Sequence, residues 1–207
     1  MPDFAFESAC HSRGLHWIAG VDEAGRGPLA GPVAAAAVIL PKGFQCPGLD
    51  DSKKFTASKR EIFFEKITQD PAVFWSVATA SREEIDSLNI LKATHLAMRR
   101  ALEGLKQVPD FCLIDGFVIK NFPFAHQGIV KGDGLSLSIA AASIIAKVTR
   151  DGLMEKLDEE FPQFGFARHH GYGTKMHLEA LRIHGPCYHH RRSFQPIAQL
   201  CLPLDDC

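Results

Sequence analysis

The order of apolar and polar positions along the chain divides it into short strands and longer helices. Trp17–Asp22 and Val33–Leu40 are compact apolar runs that read as two strands flanking a glycine-rich turn, the second dominated by alanine. Thr56–Gln69 carries helical periodicity through Ile62, Phe63 and Ile67, with Thr56 or Ser58 as its cap, and Asp70-Pro71 ends it. Ala72–Thr79 alternates around Val73, Trp75 and Val77, as a strand does. Ser81-Arg82-Glu83-Glu84 has the form of a capping box opening the next helix. Asn89–Leu105 predicts a longer helix with Leu91, Leu96 and Leu102 inward and Lys92, Arg99 and Arg100 outward. Phe111-Cys112-Leu113-Ile114 reads as a buried strand that stops on Asp115-Gly116, and a weaker strand follows near Gln127–Val130. Leu135–Phe161 is one long helix or two in sequence, Phe164–Gly173 a loop, and Thr174–His184 a short amphipathic helix stopped by Gly185-Pro186. Strands with helices between and after them give an α/β fold with a mixed central sheet flanked by helices.

At 207 residues the chain is long enough for one full core, with at most a small appendage. The pattern divides it into a lead-in (1–16), a catalytic domain (17–162) and a small helical, basic C-terminal segment (163–207). A net charge of −1 decides nothing about a polyanionic partner, because only the distribution of charge can. That distribution is uneven. Between Gly165 and Phe194 stand Arg168, Lys175, Arg182, Arg191, Arg192 and six histidines, against the single acid Glu179, which suits a nucleic acid. The doubled His189-His190 leaves a separate transition-metal site open. Six cysteines without a CxxC pair point to reduced thiols and a cytoplasmic location, with Cys112 as a small core residue. No signal-peptide pattern opens the chain, and its longest apolar run is too short to cross a bilayer, so no membrane association is expected.

Chemistry concentrates in four places. The first is Gly20-Val21-Asp22-Glu23-Ala24-Gly25-Arg26-Gly27-Pro28, which delivers adjacent carboxylates beside a glycine loop that admits a ligand to its backbone. Carboxylates suited to hard cations, next to a guanidinium and bare amides, make up the chemistry of a phosphodiester site. An isolated Asp-Glu pair is also compatible with a solvated turn. The second is Asp115, at a strand end where ligands commonly bind. The third is Ser143, Lys147 and Asp151, spaced i, i+4, i+8 as one polar stripe on an otherwise apolar helix whose Ile139, Ala142, Ile145 and Ala146 pack on the sheet. Such a stripe faces a cleft or, more blandly, forms a surface ion pair worth about 0.3–0.5 kcal/mol. The fourth is His169-His170-Gly171-Tyr172-Gly173-Thr174.

The segment from Gly20 to Pro32 closely resembles the first active-site motif of the type 2 ribonucleases H, and of ribonuclease HII in particular. The resemblance runs from about residue 17 to 194. It implies a ribonuclease H-like fold and places the acidic positions at Asp22, Glu23, Asp115 and Asp151, with Asp133 in Lys131-Gly132-Asp133-Gly134 competing for the last. It implies two divalent ions, Mn²⁺ or Mg²⁺, held by these carboxylates, whose mutual repulsion the ions would relieve. The implied activity is endonucleolytic cleavage of the RNA strand in RNA–DNA hybrids and at single ribonucleotides in duplex DNA, leaving 5′-phosphate and 3′-hydroxyl ends. Gly25, Arg26 and Gly27 would then read the 2′-hydroxyl, and Tyr172 would stack at the ribonucleotide. Lys53, Lys54, Lys147 and Arg191, the last in a His-Arg-x-Ser-Phe-like segment, would contact the substrate. The enzyme is expected to act as a monomer; whether a replication or repair partner such as a sliding clamp docks at the C-terminus is left open by the sequence. Two rivals stand beside this reading: another two-metal nuclease on a related fold, and a catalytically silent hybrid-binding module.

Overall fold

The computed structural model describes residues 1–200, so the Cys201–Cys207 tail and any clamp-docking segment in it lie outside the described residues. The elements in chain order are α1 (Ala5–Ser12), β1 (Ile18–Ala24), β2 (Val33–Ile39), α2 (Ala57–Thr68), β3 (Phe74–Ala80), α3 (Arg82–Leu88), α4 (Ile90–Glu103), β4 (Phe111–Asp115), β5 (His126–Ile129), α5 (Leu137–Glu160), α6 (Phe166–His169), α7 (Lys175–His184) and α8 (Ile197–Leu200).

The five strands form one mixed sheet in the order β3-β2-β1-β4-β5. β2 pairs antiparallel with both β1 and β3, while β1, β4 and β5 run parallel. Helices cover both faces, so β2 has no solvent side and all seven of its residues are buried. Its alternate residues divide between two cores. Val33, Ala35, Ala37 and Ile39 meet Ala93, Ala97, Met98 and Ala101 of α4. Ala36 and Val38 share the other core with Ala140, Ala141, Ile144 and Ile145 of α5. Small residues on both partners bring helix and strand close. At Gly20 an added Cβ would lie 2.1 Å from the carbonyl carbon of Ser138, so only glycine lets the start of α5 rest on β1.

Most expected elements form, and the caps are as read: Thr56 accepts from the Lys59 N–H, and Ser81 with Glu84 completes a capping box. Several details differ. The lead-in contains the two-turn α1, and the Phe164–Gly173 segment contains α6. The span 135–161 holds a single helix, α5. Leu91 and Ile62 point outward, because α4 packs through its alanines and α2 through Phe63 and Ile67. β1 continues through Asp22 and Glu23 to Ala24, since its pairing with β2 persists to Ala24 opposite Ala34. Cys112 is fully buried in β4, with burial pushing its thiol up to about 12.

A smaller apolar cluster joins Leu29 and Ala30 to Met154 of α5, Phe164, Phe166 and Ile197. It seats the C-terminal segment directly behind the glycine loop.

Candidate active site

The carboxyl ends of the parallel strands β1, β4 and β5 meet along one edge, the usual location of ligands in a sheet of this kind. Register brings Val21 opposite Ile114, so the residues that follow each, Asp22 and Asp115, emerge side by side. A cleft of about 230 Å³ opens there, lined by Asp22, Glu23, the Gly25-Arg26-Gly27 loop, Ser52, Lys53, Asp115, Ser143, Lys147, Arg150 and Tyr172. Although Asp22 and Glu23 are strand neighbours, both reach the cleft: Asp22 on the side of Ser143 in α5, Glu23 on the side of Arg26, 3.1 Å away.

Electrostatics separate this cluster from ordinary surface acids. Burial, then Glu23 and Asp115, push Asp22 well above the usual carboxylate range, against the Glu23 N–H (2.7 Å) and the Ser143 hydroxyl. Glu23 is raised by burial and Asp115, opposed by Arg26. Asp115 is raised by burial and by Asp133, although it accepts the Gly132 N–H at 2.6 Å. Among the described residues no three His, Cys, Asp or Glu side chains already stand together at metal-ligand geometry. The donor set nevertheless fits a hard cation. These are carboxylates that burial, and then their neighbours' charge, disfavour in the ionised form, a cost that a divalent ion would offset.

Neither Asp133 nor Asp151 is among the residues lining the cleft, but it is Asp133 that stands against Asp115. Asp133 is 5% exposed on the turn Gly132–Gly134 just past β5, where its charge acts on Asp115 and its carboxylate takes Lys53 at 3.2 Å. Asp151 does not line the cleft. It is clasped by Lys147 (2.7 Å), Arg60 (3.6 Å) and His170 (3.8 Å). Arg60 in turn donates to the carbonyls of Ser52 and Phe55, so Asp151 anchors the loop that carries Lys53. The stripe on α5 does face the cleft through Ser143 and Lys147, and Ser143 is tied to Ser52 at 2.8 Å.

Tyr172 projects beside the glycine loop, 47% exposed, near enough that a Cβ on Gly27 would sit 3.6 Å from its ring. Its loop is bound to the other by the Leu29 N–H donating to Gly171 at 2.8 Å. Lys54 pairs with Asp50 outside the cleft.

The basic C-terminal face is thinner than its composition implies. Arg182 pairs with Glu179, and His169, His177 and His190 are buried. The bonding fixes each ring's tautomer. His190 accepts the Cys187 N–H on Nδ1, so its Nε2–H donates to His177 Nε2 (3.0 Å), and His177 Nδ1–H donates to the Tyr172 carbonyl (3.0 Å). With both nitrogens engaged, His190 has no lone pair left for a metal.

Arg191 is likewise not a surface phosphate contact. It is fully buried, and four hydrogen bonds to main-chain carbonyls occupy its guanidinium: Gly25 (2.6 Å), Arg26 (2.9 Å), Gly31 (3.0 Å) and Pro32 (3.2 Å). Burial and the neighbouring Arg150 hold its pKa down at about 9. Arg150 was invisible to motif reading. Its guanidinium bonds the carbonyls of Pro32, His170 and Ala30, and a Cβ on Gly25 would fall 1.9 Å from its Nε. No regular spacing marks such a residue; an arginine within an otherwise buried stretch is the only hint.

Comparison with known proteins gives the family. The ribonuclease HII family model matches residues 19–197. Ribonuclease HII of Desulfitobacterium hafniense is 58% identical over 185 residues, covering 89% of this chain and 70% of that protein. Ribonuclease HII of Verminephrobacter eiseniae is 56% identical over 189 residues, covering 91% and 89%. The crystal structure of ribonuclease H2 from Pyrococcus horikoshii OT3 superposes with a TM-score of 0.71 at 26% identity, covering 89% of this chain and 96% of that one. With its ribonuclease H-like sheet and its acids gathered at the strand ends, the chain belongs to the ribonuclease HII family of nucleases.

Proposed function

We propose that the cleft hydrolyses the RNA strand of RNA–DNA hybrids and also cuts at single ribonucleotides embedded in duplex DNA, leaving 5′-phosphate and 3′-hydroxyl ends. Family membership supports RNA-strand cleavage, and the resemblance at Gly25-Arg26-Gly27 and Tyr172 supports the finer specificity. The observation that carries the reading is the meeting of Asp22, Glu23 and Asp115 in one cleft, with Asp133 acting on Asp115 from beside it, next to a glycine loop and an exposed tyrosine.

Asp22, Glu23, Asp115 and Asp133 would hold two divalent ions, Mg²⁺ or Mn²⁺. Such ions supply an activated water and neutralise charge on the leaving oxygen. The chain's own groups do the rest. The loop amides of Arg26 and Gly27 meet the sugar, where the 2′-hydroxyl distinguishes RNA from DNA. Tyr172 offers a flat face to the ribonucleotide at the junction. Lys53 and Lys147 attract the flanking phosphates and keep the strand in line. This chemistry needs no histidine base, and among the described residues the lining of the cleft includes none.

The test is incubation with a duplex containing one ribonucleotide, against an all-DNA control, with Mg²⁺, Mn²⁺ or chelator in parallel. Cutting confined to the ribonucleotide and dependent on the cation is the expected result. Equal cutting of all-DNA duplex would favour a general two-metal nuclease, and binding without cutting would favour a silent module.

A further inference from the structure

Arg191 lies fully buried beneath the glycine loop. A buried guanidinium normally meets a carboxylate, because an unpaired charge is costly to remove from water. Among the described residues neither Arg191 nor Arg150 has an acid within ion-pair distance. Arg191 spends its donors instead on peptide carbonyls, and its planar face rests on the Phe194 ring, 5.0 Å from the centroid.

Which peptides it grips matters. In a trans peptide unit the C=O and the next N–H point in opposite directions. Drawing the Gly25 carbonyl inward at 2.6 Å therefore turns the Arg26 N–H outward, and drawing the Arg26 carbonyl inward at 2.9 Å turns the Gly27 N–H outward. Outward from Arg191 is the cleft, which both residues line. Neither amide has a protein acceptor among the described residues. The arrangement holds two donors ready before any ligand arrives. The left-handed backbone of Gly25 (φ +95°) and Arg150 packed beneath it leave the loop little alternative path.

We propose that Arg191 is a positioning residue for substrate recognition: by holding the Gly25 and Arg26 carbonyls it aims the Arg26 and Gly27 amides at the ribonucleotide sugar and so sets the preference for RNA over DNA. This deepens, and rests on, the proposed ribonucleotide specificity. Lysine at 191 would keep a positive charge but lose the planar fork that engages adjacent carbonyls together.

The experiment uses the full chain in an Asp22→Asn background, so that binding is read without cutting. Dissociation constants are measured for the one-ribonucleotide duplex and for the all-DNA duplex, with and without Arg191→Lys. The expected result is a preference for the ribonucleotide duplex that falls at least about fivefold in Arg191→Lys, with all-DNA binding changed less than about twofold. A merely structural role would lower Tm and leave the preference intact, and that outcome overturns the proposal. Should Arg191→Lys fail to fold, amide exchange in the Asp22→Asn parent decides. The Arg26 and Gly27 amides should exchange freely in the free protein and gain protection with the ribonucleotide duplex only. Amides already protected in the free protein, or protected equally by both duplexes, overturn it. A parent with no preference between duplexes would remove the functional reading itself, whereas a preference that survives Arg191→Lys removes only this inference.

Discussion

Asp133 and Asp151 are both nearly buried, yet their neighbours give them opposite tasks. Asp133 adds charge to Asp115, whereas Asp151 is matched by Lys147, Arg60 and His170. Asp133→Asn should therefore lower cleavage of the one-ribonucleotide duplex by about a hundredfold or more, the scale of losing an electrostatic contact at the reacting centre. Asp151→Asn should lower it less than about tenfold while reducing Tm by several degrees, as expected for a buried carboxylate removed from cationic partners. Paired kinetics and thermal melts on the two variants check this, and the reverse ranking would return Asp151 to the acidic set. A motif match favoured Asp151. A weaker signal for Asp133 was present in the chain too, since Gly132-Asp133-Gly134 follows the short strand β5 with two residues between, much as Asp115 closes β4. What the sequence hides is that a turn of this kind also makes a good ligand platform. The histidines permit a second prediction at this scale. His177 and His190 lie at about 4 in the folded protein, mainly because burial disfavours the imidazolium, and each relies on being neutral for its hydrogen bond. Unfolded histidine titrates near 6.5, so between 6.5 and 4 the unfolded chain binds protons that the folded chain refuses. Stability should be fully present above about pH 6.5 and fall as pH drops toward 4. His190→Gln keeps one donor and one acceptor without titrating and should flatten that slope in melts across the range.

Close packing between β1 and α5 governs the site at the level of elements. Gly20 permits the start of α5 to touch the strand that bears Asp22, and Ser143 lies further along the same helix. Gly20→Ala should push helix and strand apart and cost at least about 1–3 kcal/mol, measured by denaturant unfolding, with lost cleavage in the folded fraction. Unchanged stability would mean that the two backbones are not in contact. The elements themselves were largely legible in the chain, because periodicity, caps and glycine or proline stops are local signals. The inward faces were legible only in part: Phe63, Ile67 and Leu102 are buried as read, whereas Ile62 and Leu91 are exposed. Leu91 is larger than the alanines of α4, but small side chains on both α4 and the alanine-rich β2 let helix and strand approach closely, so α4 turns Ala93, Ala97 and Ala101 inward. Which face a helix buries depends on the size of its partner, and that information sits in a different part of the chain.

For the molecule as a whole, binding a polyanion with a net charge of −1 depends on a few well-placed cations. Four basic side chains line the cleft, Arg26, Lys53, Lys147 and Arg150, the last already bonded to main-chain carbonyls. Lys53→Ala should weaken hybrid and DNA duplexes alike and lower the slope of log affinity against log salt by about one unit, read from titrations at several salt concentrations. A change confined to one duplex would make Lys53 a reader of sugar rather than of phosphate. The long reach from Arg191 back to Gly25 has a consequence for the life of the chain. Every carboxylate of the cleft has been made once residue 133 leaves the ribosome, yet the side chain that grips the glycine loop is added 58 residues later (191 − 133). If Arg191 sets the loop as proposed, the acids and the side chain that fixes the recognition loop come from distant parts of the chain, and the loop takes its final shape only after residue 191 has joined the fold.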